Sequence, residues 1–273
     1  MKALLVAVLG AMILTPGALG HQVHGILLVN GTASPEWKYI REVSVLDGVS
    51  LDKLETWDGW NYFKTIPQED IDNPNITCGR NAFDSANKTE TATVLAGSEV
   101  GFRVSRDYSR TWREGAEFVH PGPVQIYLSR SPNDDLEDYR GDGDWFKIAY
   151  GGPVSNTGWL LYWRTYGTTG GGLHEFNFTV PATTPPGRYL MRIEQFMPTS
   201  TTNYSQWFVN CAHVNIVGPG GGVPTGFAKF PGTYHRNDPG IFIPRNQEVF
   251  SGLPAEEMRL LEYKPPGPEV WTG

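Results

Sequence analysis

The chain is short of cysteine, of basic charge and of helical periodicity, and each shortage narrows what it can be. Two cysteines in 273 residues are too few for a disulfide scaffold, and without a CxxC spacing they do not read as a metal knuckle. Cys78 and Cys211 lie far apart, and in an oxidising compartment one bridge closing a long loop is favoured over two free thiols. Lysine and arginine number 22 against 29 aspartates and glutamates, a balance that argues against nucleic acid, which needs clustered cations. Beyond residue 20 no apolar run approaches the about 20 residues of a membrane span, so no membrane partner is expected.

What is present is punctuation and short strands. With 32 glycines and 21 prolines, turns break the chain into brief alternating runs: Val23 to Val29, Ala92 to Leu95, Glu99 to Val104, Val124 to Leu128, Trp145 to Tyr150, Leu173 to Val180, Arg188 to Gln195 and Trp207 to Val217. Runs of this length, rich in β-branched and aromatic residues, predict strands. Their spacing predicts an all-β protein, an immunoglobulin- or fibronectin III-like β-sandwich with long loops. The stretch from Phe227 to Gly273 carries too little pattern for a second core and reads as an extension wrapped on the same domain.

The first twenty residues read as an export signal: a short positive start, the apolar run Ala3 to Leu14, and small residues at Ala18-Leu19-Gly20. A secreted, extracellular protein beginning at His21 is therefore expected, with 21–273 as one domain. Cleavage after Gly17 would instead leave three residues ahead of His21. Five Asn-X-Ser/Thr sequons, at Asn30, Asn75, Asn87, Asn177 and Asn203, offer glycan sites in a eukaryotic source, with one or two expected to be used.

A terminal His21 offers one metal two donors, its α-amino nitrogen and a ring nitrogen. The α-amino group, with a reference pKa of about 8, loses its proton readily when a metal competes for the lone pair. A further imidazole would complete a three-nitrogen, tetragonal site that favours copper(II). The candidate is His120 in Phe118-Val119-His120-Pro121-Gly122-Pro123, where the Pro-Gly-Pro turn holds the ring on a stiff loop. By itself each histidine carries little information. His24, His174, His213 and His235 read as packed or surface residues.

Several segments in order do carry information. They include Glu36-Trp37-Lys38-Tyr39-Ile40-Arg41, Ile76-Thr77-Cys78, His120-Pro121-Gly122-Pro123, Gly187 to Gln195, Gln206 to Cys211 and the closing Pro266 to Gly273. With His21 they span the mature chain almost end to end, and through them it resembles the fungal lytic polysaccharide monooxygenases of auxiliary-activity family nine. The resemblance implies a flat metal-bearing face, a copper site built by His21 and His120, and a Cys78–Cys211 disulfide. It also implies that Gln206 lies beside the metal, where it can hydrogen-bond the oxygen co-substrate. Tyr234, in Gly232-Thr233-Tyr234-His235, matches a tyrosine that family members present to sugar.

Two departures bear on activity. Where the family carries a tyrosine on the axial side of copper, three residues before the second cysteine, this chain has Phe208, with no phenol to pass a proton or electron. After Gln195 the family places a second histidine, whereas Phe196-Met197-Pro198-Thr199-Ser200 has none, Thr199 being the nearest match. The charged stretch Asp107 to Glu117 before His120 is a further oddity.

The reaction implied is oxidative cleavage of β-1,4-glycosidic bonds at C1 and/or C4. Cellulose is the leading substrate, O2 or H2O2 the co-substrate, and a small reductant or secreted dehydrogenase the electron donor; the chain is expected to act as a monomer. The alternative is a catalytically weak relative that binds copper or polysaccharide without cleaving. A hydrolase would need two facing carboxyl groups; the acidic Asp134, Asp135, Glu137 and Asp138 read as surface charge.

Overall fold

The computed structural model describes residues 22–44, 64–105, 116–162, 173–201 and 204–273. His21, most of the charged stretch before His120, and Asn203 lie outside them.

A tight hairpin opens the fold. Strands β1 (Ile26–Val29) and β2 (Thr32–Ala33) turn through Asn30 and Gly31, both with positive φ (49° and 74°). That is the geometry whose twist suits a two-residue connection, and it selects the Asn-Gly pair. β1 pairs antiparallel with β4 (Glu99–Arg103), and β4 with β9 (Glu175–Thr179), giving a four-stranded sheet ordered β2-β1-β4-β9. The second sheet contains β3 (Ala92–Leu95), β5 (Val124–Arg130), β6 (Trp145–Gly151), β10 (Gly187–Met197), β11 (Gln206–Val217) and β12 (Phe227–Ala228). Its order is β12-β6-β5-β10-β11-β3, antiparallel except for the β11–β3 pair. A small hairpin, β7 (Pro153–Ser155) with β8 (Gly158–Trp159), stands apart.

The two sheets face each other across a core that takes Leu27, Phe102 and Phe176 from the first and Ile126, Ile193 and Val214 from the second. The expected sandwich and the expected strands are present.

The six-stranded sheet departs from simple alternation. β10 is buried from Tyr189 to Phe196 and β11 from Trp207 to Val214 without a break. Its outer face is covered by loops, forming a second core with Tyr127, Trp145, Leu190, Trp207 and Cys211. The expected bridge, Cys78–Cys211, ties one covering segment to β11 across a separation of 133 residues. The same segment is held by Arg192, which donates to the carbonyls of Ile76 and Thr77. The tail packs on this body too: Trp271 sets its ring edge-on to Phe146 at 5.4 Å and donates its backbone N–H to Lys147.

Candidate metal centre

At one end of the second sheet the antiparallel register of β10 and β11 brings chosen residues onto one face. Gln195 stands directly opposite Phe208, and Met197 opposite Gln206. Because side chains alternate along a strand, Gln206, Phe208 and Asn210 share that face. Phe208 is buried, and the imidazole of His120 stacks on its ring with centroids 5.4 Å apart and planes 18° from parallel. His120, distant in the chain, thus meets Phe208 near the end of β11 where Gln206 also stands.

The His120 loop is set by backbone contacts. Gly122 lies so close to β10 that a Cβ there would fall 1.8 Å from the carbonyl oxygen of Phe196, so only glycine fits. Gln195 Nε2 donates to the His120 carbonyl at 3.1 Å and to the Phe196 carbonyl at 3.3 Å. Gln22 supports the loop from the other side: its Oε1 accepts from the Val119 N–H at 2.8 Å, while its Nε2 donates to Gln195 Oε1 at 3.1 Å.

His24 lies under this arrangement, fully buried, with Nε2 3.2 Å from Gln22 Nε2. Burial pushes its pKa down to about 3, against a smaller opposing pull from the Asn210 amide. A cavity of about 20 Å³ beside Gln22, Trp207, Phe208 and Asn210 has room for a water molecule and none for a sugar ring.

Neither Gln22 nor Gln195 stood out in the sequence. The one available signal was phase: Gln195 falls on the same side of its strand as the core residues Met191 and Ile193, where an amide needs a buried partner. Among the described residues no group of three histidines, cysteines or carboxylates could hold a metal. His21 lies outside the described residues.

Thr199, where the family carries a histidine, is buried, and its hydroxyl accepts from the Thr201 N–H at 3.1 Å. Asp134, Asp135, Glu137 and Asp138 are exposed, as expected of surface charge. His174 and His235 are exposed, and His24 and His213 are packed inside.

Tyr234 is a correction. Expected on the surface against sugar, it is buried at 3% exposure in the outer core. Its hydroxyl donates to Glu194 at 2.6 Å and lies 3.0 Å from that of Tyr127, and burial raises its pKa well above the usual phenol value. A ring so enclosed cannot stack on a sugar. Tyr234→Phe is expected to lower stability by about 1.5–3 kcal/mol, the worth of a hydrogen bond to a charged group. Polysaccharide binding by the folded protein should stay unchanged; a loss of binding at unaltered stability would return the residue to the surface role.

The sequence profile of Auxiliary Activity family 9 (formerly GH61) matches residues 21–250. AA9 family lytic polysaccharide monooxygenase U of Thermothielavioides terrestris is 66% identical, with 100% of both chains covered. AA9 family lytic polysaccharide monooxygenase C of Emericella nidulans is 34% identical, again over 100% of each. Among solved structures, HiLPMO9B has a similar fold, with a TM-score of 0.64 at 23% identity over 93% of this chain and 100% of that one. A cellulose-active polysaccharide monooxygenase from M. thermophila gives 0.61 at 20% identity, over 93% and 100%. Fold and relatives together define a β-sandwich oxidoreductase of a copper-dependent family. The chain belongs to Auxiliary Activity family 9, the lytic polysaccharide monooxygenases, whose common activity is oxidative cleavage of polysaccharide.

Proposed function

We propose that the chain, exported and cleaved after Gly20, oxidises C1 and/or C4 of β-1,4-linked polysaccharide, cellulose first, at one copper ion. The α-amino and ring nitrogens of His21 and the ring of His120 would hold that ion. Bound there, copper supplies one-electron redox chemistry with O2 or H2O2 and an external reductant.

The observation that carries this reading is the placement of His120. Its ring is buried against Phe208 on a loop held at Val119 by Gln22, the residue joined to His21 by a peptide bond. The donor set suits copper: imidazole and amine nitrogens, on a loop whose stiffness limits the entropy lost on binding. No helix among the described residues is long and apolar enough to cross a membrane; the protein would be secreted and act as a monomer. The electron donor would be a small reductant or a secreted dehydrogenase.

The chain's own side chains would divide the remaining work. Gln206, half-buried at the start of β11, offers an amide that can hydrogen-bond the oxygen co-substrate. Phe208, stacked on the His120 ring, would shield that face of the imidazole from water and gives neither a ligand oxygen nor a proton. Phe208 also favours a second reading, a weak or silent relative that binds copper or polysaccharide without cleaving. With Thr199 turned to the Thr201 N–H, neither departure from the family supplies a titratable group.

The test joins intact mass of the secreted protein to a copper titration and a product assay on cellulose with reductant. A terminus at His21, one copper per chain and soluble oxidised oligosaccharides are expected. His120→Ala should weaken copper binding a hundredfold or more, since loss of an outer-shell partner alone costs about 10- to 100-fold. Stoichiometric copper with cellulose pull-down and no product would establish the second reading. A terminus elsewhere, or wild-type copper affinity in His120→Ala, would sink the site itself.

A further inference from the structure

The amides around His120 can be oriented one after another, and the result is a closed relay. Gln195 Nε2 lies between two backbone carbonyls, those of His120 and Phe196. Both can only accept, so the atom between them is the NH2 group. Gln195 Oε1 therefore faces Gln22, which must present its own NH2 there, at 3.1 Å. Gln22 Oε1 is left to accept from the Val119 N–H at 2.8 Å. The second N–H of Gln22 points at His24 Nε2, 3.2 Å away, which must then be an unprotonated acceptor with the ring proton on Nδ1. The depressed pKa of this buried imidazole agrees. Each assignment forces the next, and no amide can flip alone.

The relay ties three segments that share no other sequence relation: the residues leading into β1, the loop 118–120 and the end of β10. It grips the loop on both sides of the ligand candidate, at the N–H of Val119 and the carbonyl of His120. Gln22, Gln195 and His24 are 2%, 0% and 0% exposed, so bulk solvent does not reach a lost partner. A shift of the His120 backbone would orphan two buried amide groups together.

We infer that Gln22, acting through Gln195, is the positioning residue that sets the span between the two copper-binding segments. One side chain fixes the His120 loop, while its own backbone is bonded directly to His21. This inference rests on the reading that His21 and His120 hold copper. It adds a role for two glutamines that touch neither metal nor substrate.

The test uses the mature, full-length protein with Gln22→Met and Gln195→Met, which keep side-chain length and remove the hydrogen bonds, together with the double variant. Copper(II) affinity, the copper EPR spectrum and the melting temperature of the metal-free protein are measured for each. Each single variant is expected to bind copper about 10- to 100-fold more weakly, as outer-shell losses do, with altered EPR hyperfine splitting. The double variant should lose no more than the worse single, because either change alone already breaks the relay. Gln195→Met breaks it from the sheet side, so the test stands if Gln22→Met fails to fold. Lower melting temperatures with wild-type affinity and spectrum would overturn the inference, leaving the glutamines as packing only. His120→Ala separates the two levels: if it loses copper while both methionine variants bind as wild type, only the inference falls. If His120→Ala binds as wild type, the copper reading beneath it falls.

Discussion

Between pH 6.5 and 3 the folded protein is expected to lose about 5 kcal/mol of stability through His213 alone, and a comparable amount through His24. His213 lies on β11, 1% exposed, with Nε2 accepting from Arg41 Nε at 2.8 Å. Arg41 cannot turn away, because its guanidinium also donates to the carbonyls of Leu136 and Tyr139. Burial first, and the Arg41 cation second, push the His213 pKa down to about 3. Protonation would break the hydrogen bond and set two cations side by side. In the unfolded chain the imidazole titrates near its ordinary value of about 6.5. Between those two values the unfolded chain takes up a proton that the folded one refuses. The stabilisation is complete above pH 6.5 and drains away at about 1.4 kcal/mol per pH unit as pH falls toward 3. His213→Gln keeps an acceptor for Arg41 and removes the titration. Urea unfolding of the metal-free proteins from pH 7 to 4 should show a slope shallower in the variant by about that amount. Parallel slopes would rule the mechanism out.

Glu194→Gln is expected to cost about 3–5 kcal/mol, the penalty for leaving a buried charge without its partner. Glu194 and Arg192 are both fully buried, joined at 2.6 Å. Arg192 Nη1 has no hydrogen-bond partner among the described residues, and the guanidinium stacks at 3.9 Å on Phe230. Nothing nearby can replace the carboxylate charge, while Glu194 Oε1 collects Gln125 Nε2 and the Tyr234 hydroxyl. Arg192→Met with Glu194→Gln should cost less than the sum of the single changes, because the orphaned charge is then gone. Equilibrium unfolding in urea measures all three. A loss below about 1 kcal/mol in Glu194→Gln would mean that water reaches Arg192. The pair sits on the outer face of the sheet, away from His120, so copper affinity of the folded variants should match wild type.

These two cases mark where sequence reading stopped. Alternation placed the strands of β10 and β11 correctly, because period two survives whatever covers the sheet. It did not reveal that both faces are enclosed. Arg192 and Glu194 have the polar phase of a solvent face, and only the covering loops, anchored at Cys78, turn that face into an interior. Tyr234 was given a surface role by family resemblance alone, while the carboxylate that captures its hydroxyl under the covering loops lies 40 residues away in sequence. At the site, spacing could not bring His120 to Phe208, since strand register and a close-packed glycine do that. Family resemblance supplied those residues. Gln22 and Gln195 belong to no motif, and single amides in apolar runs become informative only once their partners are visible.

The strand order also says something about how the molecule behaves in a crowd. Among the described residues two edges of the large sheets, β2 and β12, are only two residues long. Strand-by-strand recruitment of a second chain needs a longer row of open rungs. A third edge, β9, alternates buried Phe176 and Phe178 with exposed Asn177 and Thr179, a polar rim that does not invite hydrophobic pairing. The inner faces of the two large sheets pack on each other, and the outer face of the six-stranded sheet is covered by the protein's own loops. Along these three edges little β-structure is left open for templated aggregation, even where the protein is concentrated at a solid surface.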